Sequence, residues 1–253
     1  MALQITLKPD LPALRAGVRL TRLALHLFTG LVTAASLYPW LSPTRRLMLK
    51  QRWSRQLLGC LGVELQVRGT AAAGLLVANH ISFLDIYVIN AVAPAAFVAK
   101  DEVRRWPLIG WLATQTDTIF LERGSRGAVQ HARIKLVEQL RTDRRVAVFP
   151  EGTTTRGDRV LPFHGALFQA AIDAGAPVTP LALRYTDGAG RRSAAPAYVD
   201  AITLWQALRA IATAKGLVAR IEVLTPMHHS DRRHLAAHAH RAIAHAVGAP
   251  RPD

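Results

Sequence analysis

The sequence predicts an α/β domain: a mostly parallel central sheet flanked by helices, preceded by a helical segment that associates with a membrane. Three observations predict it. Short apolar runs alternate with segments of helical period from Val63 onward. Half of the 253 residues are hydrophobic, enough for one substantial core. A long charge-free apolar run, Leu23 to Leu41, lies ahead of the alternation with arginines on both sides.

That run contains His26, Thr29, Thr33 and Ser36 and closes on Tyr38-Pro39-Trp40. Its length is near the roughly 20 residues that span a bilayer, and aromatics at its end suit an interface. Arg15, Arg19 and Arg22 precede it; Arg45, Arg46, Lys50, Arg52 and Arg55 follow. A simple span is positive on one side only. Charge on both sides points to a helix in one leaflet, or to a re-entrant pair whose second helix is Thr44 to Leu61, with both flanks at an anionic surface. A single span and a buried core helix are the alternatives. The run is too long for a signal peptide, and no small-residue cleavage site follows it. Residues 1–62 are therefore read as a membrane-docking segment and 63–253 as the α/β domain.

Glu64–Val67 alternates as a strand. Leu75–Ala78, Ala96–Ala99, Thr118–Leu121, Val146–Phe149 and Val178–Tyr185 read as further strands, with Arg220–Leu224 as a late one. Helical patterns occupy Leu84–Ala93, Ser125–Leu140, Gly165–Ala174 and Asp231–Val247. Ala189–Pro196 reads as a polar surface loop.

The formal charge of +15 favours an anionic partner. Nucleic acid is disfavoured: the basic residues are dispersed as pairs such as Arg144-Arg145 and Arg232-Arg233, with no aromatic-studded basic strand and no zinc-finger spacing. The single cysteine, Cys60, excludes an intrachain disulfide and a cysteine-rich metal site. His228, His229, His234, His238, His240 and His245 crowd the C-terminal region, but no carboxylate cluster or cysteine completes a metal site. A solvated or membrane-facing basic helix is the reading. His164 is left as a structural or acceptor-proximal residue.

In parallel sheets ligands gather at the carboxyl ends of strands, and three such ends carry unusual polar text. After Leu75–Ala78 come Asn79-His80 and, five residues beyond the histidine, Asp85. A histidine beside a carboxylate is a minimal general-base pair. Five is not a helical spacing, so the chain must turn between them, with Asp85 in the first turn of the next helix. After Thr118–Leu121 comes Glu122-Arg123-Gly124, where a guanidinium can hold a phosphate or carboxylate at two points. After Val146–Phe149 comes Pro150-Glu151-Gly152-Thr153-Thr154-Thr155, a donor-rich turn suited to an anion. Glu151 would repel a phosphate, so its job is to orient Arg123 or a loop amide. Lys100, at a fourth strand end, is a candidate second cation.

Together these blocks resemble the lysophosphatidic acid acyltransferase family of the glycerolipid acyltransferase superfamily. Asn79 to Asp85 is similar to its Asn-His-x-x-x-x-Asp block, Ile119 to Arg123 to its apolar strand ending in arginine, and Phe149 to Thr153 to its Phe-Pro-Glu-Gly-Thr block. Pro177-Val178-Thr179-Pro180 is similar to its Pro-Val-x-Pro block. Order and spacing fit over roughly Val63 to Tyr185.

The resemblance implies that His80 is the general base and Asp85 its orienter, and that an acceptor oxygen attacks the thioester of acyl-CoA or acyl-ACP as co-substrate, with no cofactor, metal or covalent intermediate. It implies that Lys100, Arg123, Glu151, Gly152 and Thr153 belong to the acceptor site. It further implies membrane lipids as partners, a lysophospholipid acceptor, and a location at the cytoplasmic face of the inner membrane. Where many members continue with Arg-Ser after Glu-Gly-Thr, this chain has Thr154-Thr155-Arg156-Gly157. That departure resembles relatives that acylate other lyso-lipids, including lyso-ornithine lipid. A non-catalytic anionic-lipid or nucleic-acid binder on the same fold is the alternative of another class.

Overall fold

The computed structural model describes residues 11–104, 114, 118–121 and 126–249. Helix α1 (Pro12–Ser36) leads through a 3₁₀ turn (Tyr38–Trp40) into α2 (Pro43–Cys60). Then follow β1 (Val63–Arg68), β2 (Gly74–Ala78), α3 (Asp85–Val92), β3 (Ala96–Lys100), α4 (Asp101–Arg104) and β4 (Ile119–Leu121). The chain continues with α5 (Arg126–Arg141), β5 (Arg145–Val148), α6 (Phe168–Ala174), β6 (Val178–Thr186), α7 (Leu204–Thr213), β7 (Leu217–Val223) and α8 (Arg232–Val247).

The strands form one sheet in the order β1-β7-β6-β2-β5-β3-β4. β6, β2, β5, β3 and β4 run parallel; β7 is antiparallel to β6, and β1 pairs parallel with β7. The predicted mostly parallel sheet is thus present, with a reversed pair at one side. β2 lies inside it and is buried on both faces, which is why its text is continuously apolar rather than alternating. Leu76 and Ala78 join the core beneath α1, α2, α3 and α7; Leu75 and Val77 join the opposite core beneath α5, α6 and α8. Each such large aliphatic side chain contributes about 1.5–3 kcal/mol by leaving water.

The N-terminal helix begins at Pro12, well before the apolar run. Proline suits a first helical turn, and Arg15, Arg19 and Arg22 are good helix formers, so the charge-free window did not mark the helix boundary. Among the described residues no helix is long and apolar enough to cross a membrane. α1 and α2 instead form a hairpin. His26 stacks on Trp53 with ring centres 4.9 Å apart, His26 Nε2 lies 3.0 Å from the Trp53 carbonyl, and Gly30 leaves the room that the indole fills.

Several flanking cations serve a different purpose from surface attraction. Lys50 Nζ donates to Ala95 O (2.6 Å) and Arg55 Nε to Ala91 O (2.7 Å), with the neutral Gln51 amide between them donating to Val92 O (3.1 Å). These are carbonyls at and just beyond the C-terminal end of α3, which attract positive charge. Arg19 does the same for α7 through Ala212 O and Ala214 O. An apolar stripe faces outward along α1: Leu11 at its cap and Leu14, Val18, Leu25, Phe28 and Val32 are all exposed.

Among the described residues two helices escaped the sequence reading, the one-turn α4 and the longer α7. α7 opens with a capping box in which Thr203 Oγ1 accepts from Gln206 N and Gln206 accepts from Thr203 N. The Thr-x-x-Gln signal was present in the text.

Candidate active site

Because β2, β5, β3 and β4 run parallel in adjacent positions, the segments that follow them emerge along one edge of the sheet. Asn79-His80 leaves β2, Pro150-Glu151 leaves β5, and Lys100 ends β3 opposite Leu121. Arg123, the predicted anion grip, lies outside the described residues.

The chain turns at Asn79, which is buried and acts as a surrogate peptide. Its Nδ2 donates to Leu183 O (3.0 Å) and its Oδ1 accepts from Leu183 N (2.8 Å), so the amide side chain carries the β2–β6 pairing past the last residue of β2. The turn then brings Asp85 back to His80. His80 Nδ1 lies 2.9 Å from Asp85 Oδ2. The same oxygen accepts from the amides of Ile81 (2.7 Å) and Ser82 (2.9 Å), while Oδ1 accepts from the Tyr185 hydroxyl (2.7 Å). A fully buried carboxylate is costly unless its lone pairs are satisfied. Here four donors and the N-terminal end of α3 hold the negative charge in place.

Asp85 Oδ2 already accepts from two backbone amides, so Nδ1 is assigned as the ring donor to it and the Nε2 lone pair is left facing outward. Nε2 has no partner among the described residues, and the His80 side chain is 20% exposed. The ring lies flat on Phe149, 3.9 Å between centres and 11° from parallel, so its plane is held by packing as well as by Asp85.

The backbone of His80 is clamped from the β5 loop. Its N–H donates to Glu151 Oε1 (2.7 Å), and its carbonyl accepts from Thr155 N (2.8 Å). Glu151 Oε2 accepts from Leu161 N (2.7 Å). Glu151 is buried and its two oxygens serve two loop amides. His240 of α8 reaches the carbonyl of the same peptide group, with Nε2 3.0 Å from Val160 O. One peptide unit, Val160–Leu161, is thus gripped from both ends. Gly152 turns at φ +70°, a conformation that favours glycine, and Gly152 and Thr153 are exposed on the rim. Thr154 Oγ1 donates to Tyr198 O, and His164 N donates to Pro150 O (2.9 Å). Arg156 is spent on Asp200 (2.7 Å).

Burial pushes Glu151 up to about 7 from its usual value near 4.5, against the opposing pull of the Leu161 and His80 amides and the His80 ring. The folded protein therefore holds this proton more tightly than the unfolded chain does. The stability this contributes is fully present below pH 4.5 and is lost as pH rises through about 7. The change amounts to about 3 kcal/mol. Glu151→Gln cannot ionise, so the difference in unfolding free energy between wild type and variant, measured by denaturant titration, is expected to change by about this amount between pH 5 and pH 8. A constant difference across that range would refute the assignment.

Three residues here were not singled out from the sequence. Tyr185 was read only as the end of a strand, Thr155 only as one of three threonines, and Phe149 only as part of a motif. The signal for Tyr185 was the period of two: it shares a face with Leu183, the residue that Asn79 engages.

Comparison with known proteins agrees with this geometry. The acyltransferase family model matches residues 63–184. The chain is 41% identical over 172 residues to the 1-acyl-sn-glycerol-3-phosphate acyltransferase of Neisseria meningitidis, covering 66% of this chain and 67% of that one. It is 38% identical over 248 residues to the lyso-ornithine lipid O-acyltransferase of Pseudomonas aeruginosa, covering 92% and 94%. Its fold is that of the crystal structure of a Thermotoga maritima 1-acyl-sn-glycerophosphate acyltransferase, with a TM-score of 0.72 over 94% of this chain and 95% of that one, at 21% identity. The chain belongs to the lysophosphatidic acid acyltransferase family of the glycerolipid acyltransferases.

Proposed function

We propose that the chain moves a fatty acyl group from a thioester, acyl-CoA or acyl-ACP, to the free hydroxyl of a lysophospholipid, with 1-acyl-sn-glycerol-3-phosphate as acceptor and phosphatidic acid as product. The observation that carries this is the His80–Asp85 pair at the carboxyl edge of the sheet, with His80 Nε2 open. His80 Nε2 takes the proton of the acceptor hydroxyl as its oxygen bonds to the thioester carbonyl carbon. The tetrahedral adduct collapses, the C–S bond breaks, and the imidazolium returns the proton to the departing thiolate. Asp85 stabilises the imidazolium throughout. Lys100 and Arg123 are the proposed cations for the acceptor phosphate, and Gly152 and Thr153 are proposed to belong to the same acceptor site.

A second acceptor, lyso-ornithine lipid, is favoured by two observations. The Pseudomonas aeruginosa relative of that name matches over 92% of this chain, and Arg156 is paired with Asp200. Thiol release by the purified protein, with each acceptor in turn and with none, tests both. Release that depends on lysophosphatidic acid is the expected result. Release with lyso-ornithine lipid alone transfers the reading to the second acceptor, and no release with either leaves a lipid-binding protein.

The exposed stripe of α1 is proposed to lie in one leaflet at the cytoplasmic face of the inner membrane, where exposed arginines such as Arg22 and Arg45 meet anionic lipid. Leu25 and Phe28 are 62% and 64% exposed. Replacing both with glutamate removes about 3 kcal/mol or more of apolar transfer. Binding to anionic vesicles, measured by cosedimentation, is expected to weaken more than tenfold while the folded content is kept. Undiminished binding would exclude α1 as the docking element.

A further inference from the structure

Two contacts on β6 are linked by register. Asn79 grips Leu183 through both its donor and its acceptor. Tyr185 lies two residues on and so projects to the same face of the sheet. There it is buried, 2% exposed, and its hydroxyl donates to Asp85 Oδ1 at 2.7 Å. The other oxygen of Asp85 is already occupied by His80 Nδ1 and by the Ile81 and Ser82 amides. The two oxygens thus have separate duties, and the carboxylate plane is fixed from both sides. A carboxylate torsion is otherwise broad.

We propose that Tyr185 is a positioning residue for proton transfer at His80: its hydroxyl sets the plane of the Asp85 carboxylate and draws negative charge toward Oδ1, and so tunes how strongly Oδ2 holds the imidazolium. The titratable groups facing this carboxylate are His80 and Tyr185, with Glu151 close enough for its charge to be felt. Burial pushes the Tyr185 phenol well above its usual value, with the Asp85 charge and their hydrogen bond adding to it, so the hydroxyl stays a donor through the neutral range.

The proposal rests on the acyl-transfer reading, and its test separates the two. Tyr185→Phe deletes the hydroxyl and keeps the ring. Without that donor, charge concentrates on Oδ2 and the imidazolium is favoured. The expected results are kcat lowered roughly 3- to 30-fold, KM for both substrates within about twofold, and the acid limb of the kcat/KM profile moved to higher pH by about half a unit. The His80 ring titration, followed by NMR in the absence of substrate, moves the same way. In an Asp85→Asn background the further loss is below about twofold, since the residue acts through that carboxylate. Where Tyr185→Phe does not fold, a fluorotyrosine at position 185, a stronger donor, moves the limb and the titration to lower pH. A folded variant with unchanged kcat and unchanged His80 titration overturns the proposal, as does an equal loss in the Asp85→Asn background. If wild type releases no thiol with any acceptor, the acyl-transfer reading fails instead, and the direction of the His80 titration decides the role of Tyr185 alone.

Discussion

His80→Ala is expected to lower acyl transfer by about two to four powers of ten in kcat, the range for loss of a positioned general base. The fold should survive. His80 is half-buried, its backbone bonds to Glu151 and Thr155 do not involve the ring, and alanine keeps both. What is lost is the only group at this point of the rim that is aimed by a buried carboxylate and has an open nitrogen among the described residues. The loss should fall on kcat with acceptor KM little changed, because Nε2 acts on the hydroxyl in the transition state rather than holding the head group. Single-turnover thiol release measures it. A folded alanine variant that keeps even a third of the wild-type rate would sink the mechanism.

Asp85 is expected to divide its two roles between two substitutions. Asp85→Ala removes the acceptor of four donors: the half-buried His80 ring and, buried, two amides and the Tyr185 hydroxyl. Each orphaned donor costs about 1–3 kcal/mol, and some regain water, so a stability loss of about 3–5 kcal/mol is expected in denaturant titration, with activity abolished. Asp85→Asn is milder on the fold. The Ile81 and Ser82 amides pin the amide oxygen in the Oδ2 position, and the NH₂ group can donate to the Tyr185 oxygen. His80 keeps its orientation and loses only the charge opposite its imidazolium. A charge-assisted bond is worth about 1.5–3 kcal/mol, so kcat should fall roughly 10- to 100-fold while stability changes by less than half the alanine value. Equal loss of stability in both variants, or an unchanged kcat in the folded Asp85→Asn variant, would refute this division of roles.

The distribution of what could be read beforehand follows from the range of each physical signal. Strand and helix periods are local, and all seven strands and most helices could be placed within a few residues, β2 by its unbroken apolar text. Composition misled about the N-terminal cations. Lys50, Arg55 and Arg19 look like membrane-facing flanks in a linear text, yet they satisfy the C-terminal carbonyls of α3 and α7. No sequence window contains both partners of those contacts. Glu151 was assigned by resemblance to the acceptor site, while its place on the strand end suggested an orienting role; in the fold both its oxygens bind loop amides, of His80 and Leu161.

The sequence by itself determined the alternation that makes an α/β fold, the spacing that lets His80 meet Asp85, and the strand end at which each polar segment appears. These depend on neighbours within five or so residues and are therefore written in spacing. The tertiary structure alone decided which strand ends became neighbours. Sheet order places β5 and β6 on either side of β2. It thereby brings Glu151 to His80 across 71 residues and Tyr185 to Asp85 across 100. Hydrophobic periodicity reports which face of a strand is buried, and nothing about which strand lies beside it. That choice is made by packing and pairing over the whole sheet, and it is what turns a histidine near an aspartate into an oriented imidazole.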